Sequence, residues 1–219
     1  MAAFDCFSSE ALRFLTDLDA NNTKDWFAAN KATYEVHLKE PSKRFADVMA
    51  LALRDLTGHD HDSKVFRIHR DVRFSKNKTP YNAHLHLAFI PCGMTAQPPM
   101  WFFGLSPAKL SLGCGVFQYD KEGLPKFRSA MAGAMGAELI QLTADLQAKG
   151  IRVADPELRR VPPAFDKDHR NAEALRRKGF AAWIDVGNPS FAAKPNLVER
   201  TVDLFRELMP VYRGLSRIA

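Results

Sequence analysis

Cysteine is scarce in this sequence, and its few positions exclude two kinds of site. Cys6, Cys92 and Cys114 are the three cysteines among 219 residues, and they are scattered along the chain. Their odd number and wide spacing form neither a disulfide framework nor a set of zinc ligands. A reducing compartment is the setting that such cysteine usage favours, so we predict a cytoplasmic protein.

The chain also lacks the apolar segments of membrane and secreted proteins. No run approaches the roughly 18 apolar residues that span a bilayer. The start "MAAFDCFSSEALRFL" has neither the basic residues nor the apolar stretch of a secretory signal. Glycine loops of the Walker and dinucleotide-binding types are missing as well. We therefore expect no membrane partner, and the sequence identifies no cofactor.

The remaining composition is that of a globular protein with an uneven distribution of charge. Hydrophobic residues make up 46% of the chain and charged residues 26%, which is enough to bury a sizeable core. The net charge is +6. The first third is slightly acidic and the rest is basic. Such a balance favours anionic partners, either phosphorylated metabolites or nucleic acid, although mild basic excess also occurs on surfaces that bind neither.

Helical periodicity dominates the N-terminal part of the chain. Ser8 or Ser9 is a predicted N-cap of the first helix, and Thr23 of the second. Pro41 predicts a break and the first turn of a third helix, which Gly58 ends. Further helices are predicted at about 123–149, at 169–177 and after Pro195.

Between these helices the hydrophobic period changes to two. From Phe66 to Phe74 apolar residues alternate with polar ones, which predicts a strand with one buried face. "HLHLAFI", "MWFFGLS" and "KLSLGCGVFQY" predict three more strands, and "GFAAWIDV" predicts a late fifth. Gly113 and Gly115 predict a bulge, or the close approach of a ligand or neighbouring strand. We predict a single α+β domain over residues 1–219, with an antiparallel sheet of about four to five strands flanked by N-terminal and C-terminal helices.

The densest polar cluster lies in "FRIHRDVRFSKNKTPYNAHLHLAF", residues 66–89. Five basic residues and three histidines surround the single acid Asp71 in a predicted strand, loop and strand. Hydroxyl groups, loop N–H groups and flexible cations suit phosphate or carboxylate. Arg70 falls on the apolar face of the predicted strand, where a guanidinium requires hydrogen-bonding partners.

We therefore predict a small-molecule pocket for a phosphate- or carboxylate-bearing ligand at the 67–81 hairpin. Arg70 and Arg73 clamp the anion, and Lys76 and Lys78 close over it. Asp71 is the candidate catalytic residue, either orienting an arginine or acting as a general base. Whether the protein is an enzyme stays open, as does its oligomeric state. The predicted ligand-binding residues are Arg67, Arg70, Arg73, Ser75, Lys76, Lys78, Tyr81 and His84.

Three alternatives compete with this interpretation. A metal site built from His69, His84 and His86 has suitable ligand types, but the nearby cations disfavour it. The basic region 152–178, with nearby aromatic residues, suggests a module that binds nucleic acid or a protein. The third alternative is a purely structural network of charges.

The central segment resembles a known family signature. "RIHRDVRFSKNKTPYNAH" is similar to R-I-x-R-D-x-R-F-S-K-D-K-x-P-Y-K, the signature of an uncharacterised family of bacteria and fungi, domain of unknown function 2461. The likeness extends to "NNTKDWFAANKATYE", "LSPAKLSLGCGVF", "KFRSAM" and "PPAFDKDH". Asn77 and Asn82 depart from it, standing where Asp and Lys are usual. The resemblance implies one α+β domain in a cytosolic protein and implies no activity.

Overall fold

Capping side chains begin the N-terminal helices where the sequence predicts them. The computed structural model describes residues 4–94 and 96–218. Helix α1 spans Ser9–Ala20, and Ser8 Oγ accepts a hydrogen bond from the N–H of Ala11 at 3.3 Å. Helix α2 spans Lys24–Ala29, capped in the same way by Thr23. These side-chain oxygens satisfy N–H groups that a helix start leaves without partners.

Pro41 does not interrupt the helical segment, contrary to the prediction. Helix α3 (Lys31–Thr33) continues through a π-helical segment, Tyr34–Lys39, directly into helix α4, Glu40–Thr57. Pro41 sits in the first turn of α4, where the wider π-helical segment just before it accommodates a residue without an N–H. Gly58 then ends α4 in the left-handed conformation with a φ of 80°.

Six antiparallel strands form the sheet. They are β1 (His61–Val65), β2 (Leu85–Pro91), β3 (Met100–Leu105), β4 (Leu110–Val116), β5 (Arg152–Val153) and β6 (Phe180–Val186), in the order β1-β2-β3-β4-β6-β5. This is slightly more than the predicted four to five strands, and the periodicity indicated neither β1 nor the short β5. The α+β class and the antiparallel arrangement are confirmed.

The predicted strand from Phe66 to Phe74 is wrong. Strand β1 ends at Val65, and the residues that follow form a long connection to β2. Phe66 is 43% exposed and Phe74 is 96% exposed, so the apolar residues of this alternation do not share a buried face. Alternation alone does not produce a strand when side chains elsewhere in the protein hold the backbone in another path.

The C-terminal half returns to helices. They are α5 (Gly123–Ala132), α6 (Ala134–Ala148), α7 (Ala172–Leu175), a 3-10 helix at Pro189–Ala193 and α8 (Leu197–Leu215). The predicted helix at 123–149 is divided at Gly133, the N-cap of α6, where the backbone is extended. Within the described residues, none of the helices combines the length and the apolar character needed to cross a membrane.

Backbone contacts divide the chain into two compact units. The first contains Met1–Phe89, Phe102–Leu112 and Asp185–Asp203, and its core includes the rings of Phe7, Phe45 and Phe103. The ring centres of Phe45 and Phe103 lie 4.7 Å apart.

The second unit contains Ile90–Trp101, Gly113–Ile184 and Leu204–Ala219. In its core Trp101 packs on Phe205, with 4.8 Å between ring centres. The division runs through four strands of the sheet, and the single domain stays a prediction.

Candidate functional site

The connection between β1 and β2, which we call the basic loop (residues 66–84), is closed by backbone hydrogen bonds at its base. The N–H of Asn82 donates to the carbonyl of Ile68 at 2.7 Å, and the N–H of Arg70 donates to the carbonyl of Pro80 at 2.9 Å. An isolated antiparallel bridge joins His69 to Tyr81. The predicted hairpin therefore exists as a short ladder at 68–82, carrying an irregular tip at 71–79.

Asn22, which lies between α1 and α2, anchors the basic loop. Its side-chain oxygen accepts the N–H of Tyr81 at 3.1 Å, and its amide nitrogen donates to the carbonyl of Tyr81 at 3.0 Å. The Tyr81 ring stacks on Phe27 with 4.3 Å between ring centres, and His69 packs against both rings. Two segments that are distant in sequence are thus joined by one amide and one aromatic cluster, and Tyr81 is buried in packing.

Replacing Asn22 with alanine should destabilise the basic loop strongly. The change removes both partners of the Tyr81 backbone, at about 1–1.5 kcal/mol for each hydrogen bond. We expect the free energy of unfolding to fall by about 2–3 kcal/mol and the melting temperature by about 5–10 °C. Thermal unfolding measures this effect. Asn21→Ala is the control, because its amide nitrogen bonds only to the carbonyl of Asp17 within the same helix. Equal losses in both variants would contradict the anchoring role.

The Arg70 side chain turns into the basic loop and is held by neutral oxygens only. Its Nη1 donates to the carbonyl oxygen of Thr79 at 3.1 Å and also to the hydroxyl of Thr79. Its Nη2 donates to Ser75 Oγ at 3.4 Å. Arg70 is half-buried rather than enclosed in the core, and no carboxylate pairs with it among the described residues. A fixed guanidinium therefore keeps an uncompensated charge.

Asp71 is engaged by Arg73 instead of Arg70. Arg73 Nε donates to Asp71 Oδ1 at 2.9 Å and Arg73 Nη2 donates to Oδ2 at 2.6 Å, a bidentate pair on the surface. The hydrogen bonds from Arg73 hold the pKa of Asp71 below its usual value. A carboxylate that is paired and has a lowered pKa is a weak general base at neutral pH.

The other predicted basic residues divide into two groups. Lys78 Nζ donates to the carbonyls of Val72 and Arg73, at 3.0 Å and 3.4 Å, so this side chain holds the loop tip. Arg67 and Lys76 are exposed and form no hydrogen bond or ion pair with the described residues. These two cations therefore contribute positive charge to the basic loop rather than structural contacts.

His84 and His86 lie side by side where the basic loop meets β2. Their ring centres are 4.1 Å apart. Burial lowers the pKa of His84, and the charge of Arg70 lowers it further. Burial, followed by the neighbouring His84, lowers the pKa of His86 to about 4. Part of the His86 ring is exposed, so solvent moderates this effect. Both rings are neutral at neutral pH.

The histidines do not assemble a metal site with His69. His69 belongs to the aromatic cluster around Tyr81, whereas the rings of His84 and His86 contact each other at a tilt of 32°. Within residues 4–94 and 96–218, no group of three or more histidine, cysteine, aspartate or glutamate side chains is placed to hold a metal ion.

A second polar group on the sheet was not found by sequence reasoning. Ser111 of β4 donates a hydrogen bond from Oγ to Asp185 Oδ1 of β6 at 2.6 Å. Lys109 Nζ lies 3.0 Å from the same oxygen. The signal was present in "KLSLG" and "AAWIDV", where one polar side chain interrupts an apolar strand. The two residues are 74 positions apart in the sequence, so their proximity could not be predicted from the sequence alone.

The basic region 152–178 contains both exposed and buried cations. Arg177 is 3% exposed, donates to the carbonyl of Ala154 and pairs with Glu173 at 3.1 Å. This buried arginine is structural and differs from the solvated face that a charge run usually indicates. Five other basic side chains in the region are exposed: Arg152, Arg159, Arg160, Lys167 and Arg170. No specific geometry in this region points to a nucleic acid or a protein.

Comparison with protein families gives one match that covers most of the chain. Residues 10–213 match the family described as "Conserved hypothetical protein (DUF2461)". The chain belongs to the DUF2461 family. The resemblance of the central segment to this family is thereby confirmed. No curated protein matches the chain.

In this DUF2461 protein the signature segment coincides with the basic loop. The structure divides its residues by role. Ser75 and Thr79 orient Arg70, Arg73 pairs with Asp71, and Tyr81 anchors the loop to the helices. Among the other predicted ligand-binding residues, the charge of Arg70 contributes to the lowered pKa of His84. Asn77, where the signature has Asp, accepts hydrogen bonds from the N–H and hydroxyl of Thr79.

Proposed function

We propose that this protein binds a small anionic molecule, through a carboxylate or phosphate group, at the guanidinium of Arg70. The observation that carries this proposal is the set of neutral partners around that side chain: Thr79 and Ser75 hold it, and no carboxylate in the described part of the chain pairs with it. A half-buried cation without a counter-ion is costly to maintain for structure alone. An incoming anion removes that cost.

One edge of the Arg70 guanidinium is available to a ligand. An arginine has five N–H donors. Nη1 donates to two oxygens of Thr79, and Nη2 donates to Ser75 Oγ. Nε has no acceptor among the described residues, and Nη2 carries two hydrogens but has Ser75 as its one acceptor there. These two donors form one side of the fork, the side that matches two oxygens of a carboxylate or phosphate.

Arg73 shows that this edge binds carboxylate in this same loop. Its Nε and Nη2 donate to the two oxygens of Asp71. Arg70 presents the same pair of atoms without a protein carboxylate. The His84 ring, whose pKa is lowered by burial and by the Arg70 charge, supplies a further neutral donor or acceptor. Arg67 and Lys76 attract the anion from solution.

The other predicted residues take supporting roles in this proposal. Ser75 and Thr79 orient the guanidinium, and Asp71 keeps Arg73 from turning into the site. Lys78 and Tyr81 hold the loop through the contacts described above. The proposal is a binding site, and it assigns no catalytic step.

Anion binding should appear as stabilisation of the folded protein. At about 100 times its dissociation constant, a ligand raises the free energy of unfolding by about 2.7 kcal/mol. For a chain of this length the melting temperature then rises by about 5–10 °C. The measurement is thermal unfolding with inorganic phosphate, acetate, citrate and phosphorylated metabolites, compared with sodium chloride at equal ionic strength. Melting temperatures equal to that in sodium chloride for all these anions would contradict the proposal. A response confined to oligonucleotides, with affinity that falls steeply with salt, would favour the basic region 152–178 instead.

A further inference from the structure

A row of four residues crosses the sheet beside His84, on the face that carries His86. Ser106 N–H donates to the carbonyl of Lys109 at 2.9 Å, which sets the register of the β3–β4 hairpin and places Gly104 opposite Ser111. A Cβ atom added at Gly104 would lie 3.1 Å from Cδ2 and 3.3 Å from Nε2 of His86. The His86 ring therefore lies over Gly104. With the Ser111–Asp185 hydrogen bond, the row is His86, Gly104, Ser111 and Asp185.

Gly104 leaves this row open in its middle. Adjacent strands are about 4.8 Å apart, so the backbones of His86 and Ser111 are separated by roughly 10 Å. The His86 ring covers the nearer part of this span, and no side chain rises from Gly104 to fill the rest. Gly104 and Ser111 are both partly exposed to solvent. A ligand lying on Gly104 would meet an imidazole on one side and a hydroxyl with a carboxylate on the other.

The row begins beside His84, a residue of the proposed anion site. The Arg70 charge reaches His84, the His84 ring lies 4.1 Å from that of His86, and His86 rests on Gly104. These residues all belong to the first compact unit.

We propose that the ligand of this protein is a hydroxylated anion, such as a sugar phosphate or a sugar acid, whose hydroxyl groups bind the His86–Ser111–Asp185 row. This inference rests on the proposed anion site at Arg70 and names the class of ligand that the site accepts. Hydroxyl groups both donate and accept hydrogen bonds, which matches an imidazole nitrogen, a serine hydroxyl and a carboxylate together.

The charge balance of the row distinguishes hydroxyl groups from a ligand ammonium group. Lys109 already lies 3.0 Å from Asp185 Oδ1 and balances that carboxylate. A second cation would meet the Lys109 charge at close range, which is unfavourable. Neutral hydroxyl groups avoid this repulsion, so an amino acid or polyamine ligand is disfavoured in this row.

Calorimetric titration of the full chain with paired probes tests this inference. The pairs are inorganic phosphate with glucose 6-phosphate, and acetate with gluconate. We expect the hydroxylated member of at least one pair to bind at least about tenfold more tightly, since hydrogen bonds to charged groups contribute about 1.5–3 kcal/mol each. Ser111→Ala and Asp185→Asn should each reduce this ratio towards one, while affinity for the simple anion stays at the wild-type value.

Matched controls separate the row from general effects. Ser63→Ala makes the same substitution on exposed β1 and should leave the ratio unchanged. Gly104→Ala places a methyl group against the His86 ring and should reduce the ratio as Ser111→Ala does. If simple anions bind and the ratio in the wild type is close to one, or if neither row variant lowers it, this inference is overturned and the anion site stands. If no simple or hydroxylated anion binds, the anion site and this inference both fall.

Discussion

Replacing Arg70 with methionine should abolish anion binding and leave the protein folded. The substitution removes the two N–H donors of the available edge, each worth about 1.5–3 kcal/mol towards an anion. We therefore expect affinity for the best-binding anion to fall at least about 100-fold. Arg70 is half-buried and its partners are neutral, so its loss leaves no buried carboxylate unpaired. The measurement is calorimetric titration at constant ionic strength.

Two companion variants show whether the fork or the charge of Arg70 matters. Arg70→Lys keeps the charge and loses the bidentate geometry, and it should also bind weakly. Arg73→Gln removes an equal charge three residues away, from a guanidinium that Asp71 already neutralises, and it should bind nearly as well as wild type. If the Arg70→Met protein is folded and retains wild-type affinity, the site has been assigned to the wrong residue. If Arg73→Gln has the larger loss, the clamp is Arg73.

Replacing Gly115 with alanine should destabilise the protein more than any other single change considered for the sheet. Gly115 has a φ of 143°, a conformation that residues with a side chain rarely adopt. Its added Cβ would lie 2.1 Å from the carbonyl oxygen of Phe180 and 2.6 Å from Cα of Ala181. These are backbone atoms of β6 and have no rotamer through which to move away. Strand β6 must shift, or the strand pair must open.

The expected cost of Gly115→Ala is at least about 3 kcal/mol, from backbone strain combined with overpacking. The melting temperature should fall by at least about 6–12 °C, and low yield of folded protein is consistent with this loss. Gly187→Ala is the matched control, because a Cβ there meets no atom within 4 Å. Thermal unfolding of both variants decides the question. Similar melting temperatures would contradict the close approach of β6 to β4.

The glycines of "LGCGV" show what the sequence of a strand can and cannot predict. Their position within a strand predicted either a bulge or a close approach of backbone, and the sequence contained nothing that chose between them. The structure shows β6 against Gly115 and the ring of Trp183 against Gly113. The contacting strand lies more than 60 residues later in the sequence, and the residues around the glycines do not indicate such a contact.

Residues 66–74 show how a local pattern misleads. The alternation of apolar and polar residues predicted a strand, yet Asn22 and Phe27 hold Tyr81 and draw this segment into a loop. The amide of Asn22 supplies both side-chain partners of the Tyr81 backbone, on the opposite side of the loop from this segment. A contact over 59 residues thus overrides the preference of nine residues for a strand.

The sequence indicated an unusual role for Arg70 because this residue interrupts the alternation of apolar and polar residues in its segment. That irregularity correctly marked an unusual residue, although the predicted reason, burial on the apolar face of a strand, was wrong. The structure replaces it with a half-buried guanidinium held by Ser75 and Thr79. The pairing of Asp71 with Arg73 was also open, since three arginines stand within four residues of that acid.

The sequence by itself determined the family, the α+β class, the antiparallel sheet and the position of the basic loop, because caps, periodicity and a long signature act over a few neighbouring residues. Only the tertiary structure decided which edge of Arg70 is available and which residues share the row with His86. Those features depend on contacts such as Asn22 with Tyr81 and Ser111 with Asp185. Side chains separated by tens of residues meet only after the strands have paired, and the register of that pairing selects which of them meet.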